Sequence, residues 1–232
     1  MVDSIDRIKI IGTSHIAKQS INEIKKAVAS WKPDLIALEL DSARAQAILQ
    51  DERSKISWKT LFQVGVKGYL FAKIGQFVQQ KLGKMVGVSP GSEMKAGLEI
   101  ARENKLQLAL IDQPIQITLK RFSQALTWKE KFRFCSDLLQ GLLFPNRQIK
   151  KFGLENFDLR KVPEKAVIEK MILQLEQRYP NVYKVLVEER NRYMLKKIVA
   201  LLRNHPEKRI MVIVGAGHEK GLQQLLLKVD LV

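Results

Sequence analysis

Two of the three histidines in this 232-residue chain close the same short phrase. Gly12-Thr-Ser-His15 follows an apolar run at 8–11, and Gly215-Ala-Gly-His218 follows another at 210–214. Acids fall at comparable places. Glu39 stands inside Leu35-Ile-Ala-Leu-Glu-Leu40, and Asp112 closes the run 106–111. Two imidazoles with one or two carboxylates are a common ligand set for zinc, manganese or another divalent ion. Fewer than four protein ligands leave a position for water, whose pKa the ion lowers toward neutrality. Without an ion, one histidine oriented by a carboxylate serves as a general base.

Each residue also has a plainer use. A carboxylate within a buried strand costs several kcal/mol unless it is paired or metal-bound. For Glu39 the plain partner is Arg44, five positions on. Asp112 can cap a turn before Pro114, and Glu93 can be a charge favoured by the positive end of a helix. A histidine after a strand can be an ordinary loop residue.

The elements that must position these groups follow from periodicity. The four apolar runs read as strands, and near-continuous apolar character is that of strands covered on both faces. Between the first two, Ile21, Ile24, Val28 and Trp31 recur at helical spacing, with Ser20-x-x-Glu23 as a capping box. Strand, helix, strand in about 35 residues is a right-handed βαβ unit. A helical pattern runs from Ser42 to about 82, and a glycine-rich connection leads to a helix capped by Ser89 or Ser92, with Met94, Leu98 and Ala101 facing inward. Residues from about 115 to 205 read as helices at 117–127, 129–142, 163–178 and 181–203, and a last helix covers 219–228. The expected fold is α/β, a mainly parallel central sheet flanked by helices, with a long helical insertion before the last strand, in one domain spanning 1–232. Ligands of open parallel sheets bind outside the carboxyl ends of the strands. Strand polarity therefore predicts that His15, Glu39, Asp112 and His218 collect at one edge.

Composition bounds the rest. Lysine and arginine number 40 against 24 acids, a formal charge of +16, which favours polyanions. Phenylalanines interleave with basic residues through the helical insertion, so an anionic partner, nucleic acid or lipid, is one expectation for that surface. The single cysteine, Cys135, excludes an internal disulfide, fits a reducing compartment and reads as a small buried hydrophobe. No basic leader precedes the first strand, and no run reaches the roughly 18 apolar residues of a membrane span. The nearest approach, 61–88, is interrupted by lysines and glutamines. The expectation is a cytoplasmic protein with no transmembrane segment; association into a homo-oligomer is left open. Walker A, G-x-G-x-x-G, G-x-S-x-G and H-E-x-x-H motifs are absent.

Taken in order, Gly12-Thr-Ser-His15, Ile36-Ala-Leu-Glu-Leu-Asp-Ser-Ala-Arg44, Gly91-Ser-Glu-Met94, Leu110-Ile-Asp-Gln-Pro-Ile115 through Arg121, Glu189-Arg-Asn191 and Val214-Gly-Ala-Gly-His218 resemble the TraB/PrgY family. That family is related to the Tiki metalloproteases and more distantly to the erythromycin esterase/ChaN-like fold. The resemblance implies metal binding and peptidase-like hydrolysis, with His15, Glu39 and His218 holding a manganese, cobalt or zinc ion. Glu93 or Asp112 would activate the water, and Arg44, Arg121 and Arg190 would bind a peptide or small-molecule substrate or fix the acids. The chain departs from the family pattern at Gln113, where arginine is usual, and at Asn191, where aspartate is usual. A ligand-sequestering protein without turnover is the alternative use of the same crevice.

Overall fold

The protein is described by a computed structural model over residues 6–13, 17–50, 92–143 and 165–229. Strands β1 (Ile8–Thr13), β2 (Leu35–Leu38), β3 (Gln107–Leu110) and β4 (Ile210–Gly215) form one parallel sheet in the order β1-β4-β2-β3. β4, last in sequence, lies between β1 and β2, and all six of its residues are buried. The predicted apolar runs are thus all strands, and the α/β class holds.

The described helices are α1 (Ala17–Trp31), α2 (Ser42–Leu49), α3 (Ser92–Glu103), α4 (Ile115–Ala125), α5 (Trp128–Leu143), α6 (Lys165–Arg178), α7 (Pro180–Tyr183), α8 (Glu189–Asn204) and α9 (Ala216–Leu226). Two cores sandwich the sheet. On one face Ile24 and Val28 of α1 and Met94, Leu98 and Ala101 of α3 pack with Ile36, Leu38, Met211 and Ile213. On the other, Met194, Ile198 and Leu202 of α8 and Leu222 and Leu226 of α9 pack with Leu35, Ala37, Val212 and Val214. Alternate residues of β2 and β4 thus feed opposite cores, as the period of two requires.

Several local expectations change. Helix α1 begins at Ala17, so Ser20 is a buried residue of its first turn and not its cap. Helix α2 stops at Leu49 because Asp41 starts it and Gln50 ends it; the predicted continuation toward 82 lies outside the described residues. So do Ser89, the stretch 61–88 and the Cys135 side chain. The helix predicted at 181–203 starts at Pro180, where a missing N–H is harmless, and winds as a π-helix over Lys184–Glu188 before α8. The last helix begins at Ala216, which places His218 in its first turn and not in a loop. Among the described residues no helix is long and apolar enough to cross a membrane.

Helix α3 lies close over β2 because Gly97 has no side chain. A Cβ there would fall 2.8 Å from Leu38 Cδ2, and Leu38 is fully buried. Gly97→Val is therefore expected to destabilise the fold by about 1–3 kcal/mol through overpacking, read as a lower urea midpoint with an unchanged slope.

Candidate functional site

The path from sheet to site starts with backbone pairing beyond the strand ends. Glu39 N–H donates to Ile213 O (3.0 Å), Ile111 N–H to Leu38 O (3.0 Å) and Asp112 N–H to Leu40 O (3.1 Å). These bonds carry Glu39 and Asp112 side by side past the carboxyl ends of β2 and β3. The following connections diverge: the helices after β1 and β2 lie on one face, whereas β4 leads into α9 on the other. In open parallel sheets such a switch in direction marks the edge at which ligands generally bind. The glycines that open the two glycine–histidine phrases lie there on adjacent strands: Thr13 pairs with Gly215 and Gly12 with Val214, so the two glycines are one step out of register.

Arg190, from the first turn of α8, enters this edge and joins the acids. Its Nη2 donates to Glu39 Oε1 and to Asp112 Oδ2 (2.7 Å), and its Nε donates to Asp112 Oδ1 (3.0 Å). Nη1 donates to His218 Nε2 (2.9 Å) and to Leu186 O in the π-helical turn (3.3 Å). Asp112 also accepts from Arg44 Nη1 (2.8 Å) and the Gln113 amide (2.8 Å). Glu39 Oε2 accepts the Gly215 amide at 2.6 Å. Glu39, Asp112 and His218 are all buried.

The histidine tautomer follows from this network. A guanidinium can only donate, so Nε2 of His218 must accept, and Nδ1 carries the proton. Nδ1 donates to Asn191 Oδ1 at 2.6 Å. Asn191 reaches it because Gly221, one turn along α9, is bare; a Cβ there would lie 2.4 Å from Asn191 Nδ2. The Nε2 lone pair is thereby committed to Arg190 Nη1, and Glu39 Oε1 lies 3.5 Å from Nε2.

The sequence-predicted residues distribute as follows. Glu39, Asp112, Arg190 and His218 come together, and Arg44 joins them through Asp112 and not through Glu39 as its nearness in sequence suggests. Asp112 is more than a turn cap, since both its oxygens also hold arginines. Arg121 stands apart, half-exposed, with Glu189 (Nη2–Oε1 2.7 Å, Nε–Oε2 3.1 Å). Glu93 is buried at the start of α3, with Ser92 Oγ at 3.5 Å from Oε2. His15 lies outside the described residues. Residue-by-residue reading does not single out Asp41, whose Oδ1 caps α2 through Ala43 and Arg44 N–H while Oδ2 is buried with no hydrogen-bond partner among the described residues. An aspartate just ahead of the first helical residue, Ser42, is the cap signal there. Nor does it single out Thr118, which accepts from Gln113 Nε2 (3.0 Å) in a buried contact.

The profile of the TraB/PrgY/gumN family matches residues 3–229. The chain belongs to that family. An uncharacterized protein of Methanocaldococcus jannaschii is 35% identical over 225 residues, which cover 96% of this chain and 54% of the relative. A TraB domain-containing protein of Bos taurus is 26% identical over 242 residues, covering 94% and 62%. The chain thus spans little more than half the length of these relatives.

Whether this TraB-family site suits an ion can be judged from its donors. Imidazole nitrogen with carboxylate oxygen is a donor set for zinc, cobalt or manganese. Two ligand atoms about 2.1 Å from a tetrahedral ion lie roughly 3.4 Å apart, close to the 3.5 Å between Glu39 Oε1 and His218 Nε2. Both atoms also have support on their far sides, from Gly215 and Asn191. The pair fits an ion in chemistry and spacing. It is only a pair, however: no group of three or more His, Cys, Asp or Glu placed to hold a metal occurs among the described residues.

Electrostatics make Glu39 the acid-sensitive member. Burial pushes its carboxyl up, but an imidazolium at His218, the Arg190 guanidinium and the Gly215 amide together outweigh that and bring it from 4.5 to about 2; with His218 neutral, as its bond from Arg190 requires, the downward pull rests on Arg190 and Gly215 and is smaller. Burial would also lower Arg190, yet Glu39 and Asp112 hold it above its ordinary value. A depressed carboxylate stabilises the fold above its unfolded pKa and loses that contribution as pH falls through the folded value. Wild-type melting temperature should therefore drop as pH falls from 4.5 toward 2. Glu39→Gln should be less stable at pH 7 and flatter across that window, as followed by thermal melts in matched buffers.

Proposed function

We propose that the protein is a divalent-cation-dependent hydrolase acting on a peptide or another small acyl substrate at the carboxyl edge of the sheet, in a cytoplasmic setting. The observation that carries this reading is the convergence of Glu39 Oε1 and His218 Nε2, each braced from behind. Bracing by outer hydrogen bonds is what fixes ligand orientation at metal centres.

In this reading Glu39 and His218 hold the ion, with His15 as the third ligand carried by the family resemblance. A bound divalent ion supplies an acidified water and polarises the substrate carbonyl. Asn191 keeps His218 in the Nδ1–H tautomer, so that Nε2 has a lone pair to give. Asp112 is saturated by Arg44, Arg190 and the Gln113 amide, which suits an anchor better than a base. That leaves Glu93, the other acid carried by the family resemblance, for the proton-accepting role. Arg44, whose side chain is 37% exposed, is the guanidinium best placed to meet a substrate carboxylate at the rim.

Isothermal titration of the full chain with Mn²⁺, Co²⁺ and Zn²⁺ tests the reading. One ion per chain is expected, with affinity falling at least about tenfold in His218→Ala, together with metal-dependent cleavage in a peptide mixture followed by mass spectrometry. Absence of stoichiometric binding for all three ions would sink it. Ion-independent ligand binding, lost in His218→Ala and never accompanied by turnover, would favour the sequestering alternative.

A second surface has its own supporting observation. Trp128 and Phe132 of α5 are 68% and 71% exposed, their ring centroids 6.2 Å apart, with Lys131 Nζ 4.4 Å from the Trp128 ring centre. Exposed aromatic groups among basic residues suit an anionic partner. Binding of such a partner should weaken steeply with added salt, and a flat salt response in a vesicle or nucleic-acid pull-down would remove this reading.

A further inference from the structure

We propose that Arg190 is a displaceable occupant of the cation position, so that its guanidinium and a divalent ion hold Glu39 Oε1 and His218 Nε2 in turn. This rests on the divalent-ion reading above and adds to it an internal competitor. The same two atoms that converge as ligands are those that accept from Nη2 and Nη1 of Arg190. An ion within bonding reach of both would share space, and sign of charge, with those two nitrogens. Seated arginine and bound ion are therefore mutually exclusive.

Withdrawal leaves no buried charge alone. Arg190 would give up Glu39, His218 and, because the same Nη2 serves both acids, Asp112 Oδ2, and would swing about its Nε, whose bond to Asp112 Oδ1 (3.0 Å) it can keep. Asp112 would still hold Arg44 Nη1 (2.8 Å) and the Gln113 amide (2.8 Å). Glu39 would keep the Gly215 amide, and His218 would keep Asn191, the residue next to Arg190 on α8. With arginine seated, two carboxylates are balanced by Arg44 and Arg190, which lets the acids stay ionised and preorganised without an ion. Arg44 is then what keeps Asp112 paired while Arg190 is displaced, which gives the second arginine on that acid a purpose.

The test compares Zn²⁺ affinity by calorimetry in wild type, Arg190→Ala and Arg44→Ala, alongside guanidinium ¹⁵N NMR of the full wild-type chain. Arg44→Ala removes the same charge from the cluster but touches neither ligand atom. Arg190→Ala should bind Zn²⁺ about tenfold or more tightly than wild type, with a distinctly smaller gain in Arg44→Ala. In the wild type, Zn²⁺ should shift the Arg190 guanidinium signals, identified by their loss in Arg190→Lys, in step with binding. Equal gains in the two alanine variants, or Zn²⁺ binding with the Arg190 signals unmoved, would overturn the exchange while leaving the ion reading intact. If Zn²⁺ binds neither wild type nor any variant, both fall. Should Arg190→Ala fail to fold, the wild-type NMR titration decides by itself.

Discussion

One guanidinium ties three distant parts of the chain to the helical turn just before it. Arg190 touches Glu39, Asp112, His218 and the carbonyl of Leu186, drawing the ends of β2 and β3, the start of α9 and the π-helical turn to one point. Acids this buried are tolerated only when paired, and taking one member from a buried ion pair generally costs about 3–5 kcal/mol. The sheet must therefore deliver Glu39 and Asp112 to the same edge, and α8 must present Arg190 to both. Parallel strands do the first, because every carboxyl end points the same way. The packing of Met194, Ile198 and Leu202 against the sheet does the second by fixing how α8 lies.

The insertion of β4 between β1 and β2 gives the edge its asymmetry. Helices that follow its neighbours stay on one face, while α9 leaves on the other, and the buried cluster of acids, arginine and histidine lies where those directions part. His218 joins it from the first turn of α9, with its ring steered by Asn191 from α8. Bare positions make the approach possible. Gly221 admits Asn191, and at Gly12 a Cβ would lie 2.5 Å from Glu219 Oε2, so β1 and α9 also meet only across a glycine. Gly12 thus has a packing reason of its own, independent of any ligand.

Much of this arrangement is legible in the sequence. Four apolar runs ending in polar residues locate the sheet and the edge where the acids gather, and a glutamate inside such a run is costly enough to demand a partner. Naming that partner was harder. Arg44 is near Glu39 along the chain, but Asp41 caps α2, and Arg44 instead reaches Asp112. Arg190 lies 151 positions from Glu39, and no local pattern announces a bond of that separation. Its role depends on the strand order and on the rotation of α8, neither of which periodicity encodes. The family motifs pointed to Arg190 as a pocket residue, and membership of the TraB/PrgY/gumN family over residues 3–229 agrees with that resemblance. Motifs carry residue identity, but they do not say that this arginine sits on the very atoms expected to bind an ion.

The π-helical turn over Lys184–Glu188 immediately precedes these residues. An α-helix advances about 100° per residue, and a π turn absorbs extra chain without breaking the rod. It therefore works as a phase adjuster, setting the azimuth at which α8 begins while the apolar stripe farther along stays seated on the sheet. Adjacent residues point about 100° apart, which lets Arg190 face the acids and Asn191 face the imidazole from a single turn of helix. Rewinding Lys184–Glu188 as regular α-helix would rotate that turn relative to the segment before it, and the helical insertion and the site could no longer both be satisfied. In this sense the angular setting of one irregular turn couples how the insertion packs to which side chains the site receives.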